Sequence, residues 1–418
     1  MPTLSTWLTH IETLHPEVMD FDRTRFQAML KKRDLKPHSF VITVAGTNGK
    51  GTTVALLENL FSRFGLTTGV YTSPHLLRFN ERIRLNQKNV DDDTLIAAFE
   101  HIEKAREKTP LTFFEFTTLA AFHIFAQQKP DVLILEIGLG GRLDAVNTWD
   151  PNLAVITSID LDHCAILGDT REAIAKEKAG IFRPHTDAVI GELLPPDTLF
   201  EAAKALQVPL SCIQKDFHYD VDDLHFHYRY QDFQITSEIP HIPSQNAATA
   251  ITAFQIALSR IGKSAPQAFI KSCIQKSLHE TKLLGRFTEC DYKNRKVILD
   301  VAHNPHAAKY LRTRLAQLPA PKTIIAVMGM LKDKDMRAVI AMLSPVIADW
   351  YFCALPGERG TSLADLKKRI PFEGKHYDNP TAAFHAAHQI SHPSDTILVL
   401  GSFITVAEIL TLGVYSSK

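Results

Sequence analysis

The sequence predicts an α/β protein of two domains, and three observations carry that reading. At 418 residues the chain exceeds the roughly 250–300 residues at which single cores stop growing. Short apolar runs that end in glycine or a polar residue alternate with helical patterns in both halves. A loop bearing glycines and a lysine joins the first of these runs to a helical stretch, the layout of a nucleotide-binding α/β unit.

In chain order, the N-terminal stretch Met1–Asp20 carries His10, Glu12 and Glu17 where a secretory signal needs unbroken apolarity. No apolar run in the sequence approaches the roughly 18 residues of a membrane span. Phe40–Ala45, Asp131–Glu136 and Leu153–Thr157 are continuously apolar over a few residues, as strands buried on both faces of a parallel sheet are. Val54–Phe61 has helical spacing. Leu224, Phe226, Tyr228 and Tyr230 alternate with His225, His227, Arg229 and Gln231, which predicts an antiparallel strand with one wet face. The His225/His227 pair within it has metal-ligand spacing, but alternation alone produces such a pair on any exposed strand face. Asn246–Gly262 places Ala247, Ala250, Ile251, Phe254 and Leu258 on one helical stripe, with Gly262 as the stop, and reads as the last full element of the first domain. The strand and helix alternation resumes at Val297–Leu299, Thr323–Val327, Trp350–Cys353 and Thr396–Leu400. A boundary near 282–286 therefore divides domains 1–281 and 282–418. No internal repeat is visible.

Lys plus Arg and Asp plus Glu both number 46, so the formal net charge is zero, which gives no electrostatic reason to bind nucleic acid or an anionic membrane. With 45% hydrophobic and 22% charged residues the chain is neither disordered nor fibrous. Cys164, Cys212, Cys273, Cys290 and Cys353 are odd in number and never form a Cys-x-x-Cys pair, which points away from a disulfide framework or thiolate zinc site and toward a reducing, cytoplasmic setting.

The loop from Ala45 to Thr53 carries the chemistry. Gly46, Gly49 and Gly51 let the backbone wrap an anion, Lys50 offers a point charge, and Thr52 or Thr53 lies at a helix start whose amides complete the cradle. The position five before Gly49 is Val44 rather than glycine, so the generic phosphate-loop spacing is met only in part. The same glycines would also serve a bare strand-to-helix turn; lysine directly after glycine in this setting favours a nucleotide. A magnesium ion on such phosphates needs an acidic partner at the end of a neighbouring strand, and Glu136 closes an apolar strand followed by the glycine-rich stretch 138–144.

Together with that loop, the stretches Tyr71–Leu76, Glu136–Asp144, Glu177–Ile181 and Leu299–Pro305 are similar to the folylpolyglutamate synthase family of the Mur ligase superfamily, from about Trp7 to the stretch Gly401–Val406. The resemblance implies a P-loop ATPase domain with a mostly parallel sheet plus a smaller Rossmann-like C-terminal domain. It implies a ligase in which ATP phosphorylates a carboxylate and L-glutamate displaces the phosphate. The acceptors would be dihydropteroate and reduced folates, the enzyme a monomer without nucleic-acid or membrane partners.

By the same resemblance Gly46, Thr47, Asn48, Gly49, Lys50, Gly51 and Thr52 cradle ATP, with Asn246, Arg286 and Asp300 attributed to the second domain's share of the nucleotide site. Ser73 and Glu136 hold a first magnesium. His163 and Lys178, the latter carbamylated, hold a second, and a monovalent cation is a further candidate. Carbamylation turns an amine into a hard oxygen ligand. Lys50, His163, Lys178 and His303 are the catalytic set. Asp20, Thr112, Phe114, Glu115, Leu143 and Asp144 are implied for the pterin, under a mobile loop at 74–86. On the residues alone, Lys178 is also readable as a solvated helix charge, His163 as a structural histidine, Asn246 as a helix cap and Phe114 as core. The sequence departs from the family pattern at Asp20–Arg25, Cys164–Leu167 and Ile404, which bears on the pterin and glutamate pockets. A cell-wall Mur ligase would carry an extra N-terminal domain where this chain has about 40 residues before the loop. A nucleotide switch would release ADP without needing a pterin carboxylate and glutamate.

Overall fold

The computed structural model describes residues 2–17, 20–319, 323–370 and 372–415. The chain divides into two compact units, one of residues 1–160 with 167–281 and the other of 161–166 with 282–418. The short segment 161–166, expected in the first domain, clusters with the second.

The first unit is organised by a sheet in the spatial order Lys88–Asn89, Ile83–Leu85, Thr68–Tyr71, Val132–Glu136, Phe40–Ala45, Leu153–Ile156, Asp187–Ile190 and Leu210–Cys212. Every pairing from Thr68–Tyr71 to Leu210–Cys212 is parallel; the two short strands at the other edge are antiparallel. Apart from Phe40 the central strands are wholly buried because helices cover both faces, which is why their sequences are continuous rather than alternating. The helix Phe113–Gln128 is buried on nearly every side, and its apolar sequence reflects that.

The alternating segment forms His225–Tyr230, the middle strand of a three-stranded antiparallel sheet between Phe217–Val221 and Phe233–Glu238. Phe226 and Tyr228 are buried while His225 and Arg229 are exposed, as period two requires. His227 is held by Asp222 at 2.9 Å and Thr236 at 3.0 Å, and among the described residues no group of three His, Cys, Asp or Glu side chains is placed to hold a metal ion. The helix Ser244–Ile261 is followed by another, Gln267–Glu280, before the first unit ends.

The second unit has a sheet in the order Thr288–Tyr292, Arg295–Leu299, Thr396–Leu400, Ile324–Met328, Asp349–Cys353 and Lys375–Tyr377, parallel except for the first hairpin. Its strands Ile324–Met328 and Thr396–Leu400 are fully buried. All five cysteines are free thiols. Among the described residues no helix is long and apolar enough to cross a membrane.

One feature of the first unit sets a pH response. The rings of His101 and His123 stack at 3.9 Å, Arg33 donates to His101, and Gln127 meets His123 at 3.0 Å. Burial, with Arg33 nearby, holds both imidazoles neutral, His123 at a pKa of about 4. An imidazole with a depressed folded pKa binds fewer protons than in the unfolded chain, so stability rises with pH from about 4 to the unfolded value near 6.5. The melting temperature should therefore climb across that window, and His123→Phe, which keeps a ring on the stack, should flatten the climb. An unchanged slope in the variant would remove His123 from the account.

Candidate active site

The sheet register brings the site of the first unit together. Val44 lies opposite Glu136 on one side of the central strand, and Ala45 lies opposite Ile156 on the other. Consequently the loop that begins at Gly46 emerges between Glu136 and the strap Thr157–Asp160, at the carboxyl ends of parallel strands where the chain order reverses. Tyr71 pairs with Leu135, which places Ser73 next to Glu136, and the Ser73 N–H donates to Glu136 Oε2 at 3.4 Å. Glu136 is 6% exposed.

Gly49 precedes the helix Lys50–Phe64 with φ +86°, a left-handed conformation that disfavours any side chain. A Cβ there would also stand 2.6 Å from Asn246 Nδ2. Lys50 Nζ reaches back to Gly46 O at 2.9 Å and Thr47 O at 3.4 Å, so its charge hangs over the loop it belongs to. Thr52 Oγ1 donates to Gly49 O at 2.9 Å and accepts from Asn246 Nδ2 at 2.8 Å. Asn246 lies inside the helix Ser244–Ile261 and belongs to the first unit; it is neither a cap nor part of the second domain.

The strap holds the loop through backbone and hydroxyl groups. Thr47 N donates to Ser158 O at 2.8 Å, Asn48 N to Ser158 Oγ at 3.0 Å, Thr157 Oγ1 to Asn48 O at 2.6 Å, and Asp160 N to Thr47 Oγ1 at 3.0 Å. Sequence reasoning missed Thr157, Ser158 and Asp160, because one hydroxyl or carboxylate after a strand carries no signal of its own.

Lys178, in the last turn of the helix Arg171–Ala179, is 3% exposed, whereas Lys176 is exposed. The solvated-charge reading of Lys178 therefore fails. Helix and glycine loop touch closely: a Cβ on Gly141 would lie 2.7 Å from Glu177 O.

The residues implied for the pterin fall into two groups at the start of the helix Phe113–Gln128. Tyr71 lies 6.2 Å from Phe114, ring centre to ring centre, and a Cβ on Gly138 would lie 2.7 Å from Phe114 Cζ and 3.2 Å from Asp144 Oδ2. Phe114 is half-buried rather than core, and so is Leu143. Asp144 is buried; burial raises its pKa to about 6 against the backbone N–H groups of Leu139 and Val146, which donate to it at 2.8 and 2.9 Å. Those bonds make Asp144 the organiser of its own loop. In the second group Thr112 and Glu115 form a reciprocal capping box, and Arg25 joins Glu115 at 2.9 Å to Asp20 at 2.6 Å. Their visible work is structural. Arg25 was not foreseen, nor was Arg82, which is buried against the rings of Phe79 and Phe113.

In the second unit Asp162 is the centre of a polar cluster. Lys334 Nζ donates to Asp162 Oδ1 at 2.5 Å, Asn304 Nδ2 to Oδ2 at 3.0 Å, and His303 Nε2 lies 3.6 Å from Oδ2. Burial pushes the Asp162 carboxyl up, but the neighbouring His303 ring and the Lys334 charge outweigh it and hold it well below the usual carboxylate range. Lys334 Nζ also stands 3.2 Å from His163 Nε2; since an ammonium only donates, that nitrogen carries a lone pair. Burial keeps the His163 ring neutral, with a pKa of about 4. Elsewhere in this unit Asp300 accepts from Phe287 N and Ala302 N, each at 2.8 Å, and the Arg286 guanidinium lies over the Phe403 ring at 5.1 Å. Burial raises the Asp300 pKa, with the Arg286 charge opposing. Asp162 and Lys334 were not foreseen.

The chain matches the Mur ligase middle domain over residues 44–256 and the Mur ligase glutamate ligase domain over residues 285–403. It is 41% identical to the dihydrofolate synthase/folylpolyglutamate synthase of Escherichia coli K12, over 97% of this chain and 94% of that protein. Its fold superposes on E. coli FolC in complex with DHPP and ADP with a TM-score of 0.92 and 39% identity, covering 98% of this chain and 97% of the other. A bifunctional folylpolyglutamate synthase/dihydrofolate synthase with Mn, AMPPNP and L-glutamate bound matches at a TM-score of 0.90 and 38% identity, over 99% and 98% of the two chains. With Mur ligase domains over most of its length and near-complete coverage of these relatives, the chain belongs to the dihydrofolate synthase/folylpolyglutamate synthase family of Mur ligases.

Proposed function

We propose that the protein joins L-glutamate to dihydropteroate, giving dihydrofolate, and adds further glutamates to reduced folates, each time at the expense of ATP. The observation that carries the reading is the loop 46–52 held at the end of the central strand with the Glu136 carboxylate directly beside it. A substrate carboxylate oxygen attacks the γ-phosphorus and ADP leaves. The glutamate nitrogen then attacks the acyl carbon, loses a proton, and phosphate departs. Electrostatics and positioning dominate such phosphoryl transfer.

Gly46, Thr47, Asn48, Gly49, Gly51 and Thr52 line the polyphosphate, with the Thr47 and Asn48 N–H groups anchoring the loop to Ser158, Lys50 neutralises its terminal oxygens, and Asn246 fixes Thr52. Arg286 and Asp300 serve the nucleotide from the second domain, 282–418. Glu136 and Ser73 supply hard oxygen donors of the kind magnesium selects, so the residues fit that ion. Lys178, carbamylated, and His163 through Nε2 are the protein ligands assigned to a second magnesium; the lone pair now facing Lys334 is the one such a bond needs. Magnesium, when bound, neutralises charge on the transferring phosphoryl group. His303 assists the incoming glutamate or the phosphates. Phe114 offers a stacking face for the flat pterin beside Leu143 and Asp144. Asp20, Thr112 and Glu115 act by shaping that pocket. Water must be kept from the acyl phosphate, which it would hydrolyse. The protein acts as a cytoplasmic monomer.

ADP release with magnesium, ATP and L-glutamate, measured with dihydropteroate, with tetrahydrofolate and without acceptor, tests the proposal. One glutamate mass added to each acceptor is the expected result. ADP release indifferent to both acceptors, with no mass gain, would remove it.

A further inference from the structure

The strap that grips the phosphate loop is itself gripped. Ile159 N donates to Glu192 Oε2 at 2.7 Å, and Ile159 O accepts from Arg171 Nε at 2.9 Å, so one residue of the strap has both backbone polar groups taken up by an acid and a base. The pair is closed on itself, because Arg171 Nη2 meets Glu192 Oε1 at 3.1 Å. Leu194 N donates to the same oxygen at 3.0 Å, and Leu194 O accepts from Arg171 Nη2 at 2.8 Å. Glu192 is 9% exposed, on the turn that follows the strand Asp187–Ile190. The preceding residue, Gly191, accepts at its carbonyl from Gln245 Nε2 at 2.6 Å, and Gln245 directly precedes Asn246, whose amide holds Thr52. Both grips on the loop therefore converge on the dipeptide 191–192: the strap through Glu192, and the Asn246 helix through Gly191.

We infer that Glu192, with Arg171, is a positioning residue for nucleotide binding, acting through the strap on the loop backbone at Thr47 and Asn48. This rests on the reading of loop 46–52 as the ATP cradle. The carboxylate has no part in holding nucleotide itself. It fixes where Ser158 O and Asp160 N stand, and these in turn fix the direction of the Thr47 N–H and hydroxyl. With Thr47 and Asn48 anchored to the strap, the course of the loop after them is set before the anion arrives, so slack in the strap weakens nucleotide binding and leaves the other substrates untouched.

The test is calorimetric titration of the full-length protein with ADP and with an unhydrolysable ATP analogue, beside steady-state constants for ATP, L-glutamate and dihydropteroate. Glu192→Leu should weaken nucleotide binding about tenfold and raise KM for ATP by a similar factor, with KM for glutamate and dihydropteroate unchanged. Glu192→Gln, which keeps an oxygen for the Ile159 N–H, should recover most of the loss. Arg171→Met keeps the aliphatic stem and removes the donor to Ile159 O; it should show a smaller loss of the same kind and serves if Glu192→Leu does not fold. A lowered melting temperature with nucleotide affinity within twofold of the parent, in either variant, would reduce the pair to a fold support and overturn the inference. Lys50→Ala is the control: if it binds ATP like the parent, the cradle reading itself has failed, whatever the Glu192 variants do.

Discussion

Replacing Glu136 by alanine should lower ligation by roughly 10³-fold and leave the fold in place. The carboxylate sits at the end of a wholly buried strand, beside Val44 in register and within reach of the Ser73 N–H. A buried acid in such a place is poorly suited to stabilising the fold and well suited to an ion. Its loss removes a hard oxygen donor for magnesium, and the charge on the transferring phosphoryl group then goes unbalanced. Two readouts decide the matter. Manganese binding in the presence of an unhydrolysable ATP analogue, followed by electron paramagnetic resonance, should weaken along with turnover, and Glu136→Asp should fall between the two. Turnover within threefold of the parent would end Glu136's role as a metal ligand.

Lys50→Ala should cost about 10²–10³ in kcat, and it should discriminate between nucleotides. The ammonium rests on Gly46 O and Thr47 O, over the loop proposed to hold the phosphates. On the proposed role of Lys50 at the far end of the polyphosphate, the affinity for an ATP analogue should fall more than that for ADP. Lys50→Arg should not restore activity, since a planar fork is a different shape from a compact point charge. Equal losses for ADP and ATP would place Lys50 in general loop support instead.

The order of these elements was legible where a single segment carries its own signal. Phe40–Ala45, Val132–Glu136 and Leu153–Ile156 are continuously apolar because helices cover both faces, and the glycines and lysine after the first of them mark a turn from strand to helix of the kind that suits an anion. Thr68–Tyr71, Ile83–Leu85 and Leu210–Cys212 were not seen, for strands of three or four residues have no measurable period. The glycines and lysine of the loop 46–52 and the nearby Glu136 were singled out from the sequence, whereas the residues that hold them in place were not. Thr157, Ser158, Glu192 and Arg171 act across long stretches of chain, and in a sequence each is one more polar residue after a strand or in a helix. Lys176 and Lys178 show the same limit: two lysines on one helix differ only by what packs over them. Asp20, Thr112 and Glu115 show the converse, where residues implied for substrate prove to be occupied by a cap and an ion pair.

The glycine at 49 has a bearing on how this site can change by mutation. Two independent obstacles stand at that position, a left-handed backbone and the Asn246 side chain 2.6 Å from a would-be Cβ. A smaller residue at 246 would open the space but leave the dihedral unfavourable, and it would also release Thr52. No single compensating substitution therefore rescues a side chain at 49, and a route through sequence space that passes there must cross a non-functional intermediate. Gly138 is different, since its neighbour is the tip of a half-buried Phe114 ring and its backbone is not left-handed. A lineage could enlarge 138 while trimming 114, and the surface around Tyr71 and Phe114 could drift in shape while the loop 46–52 stays locked.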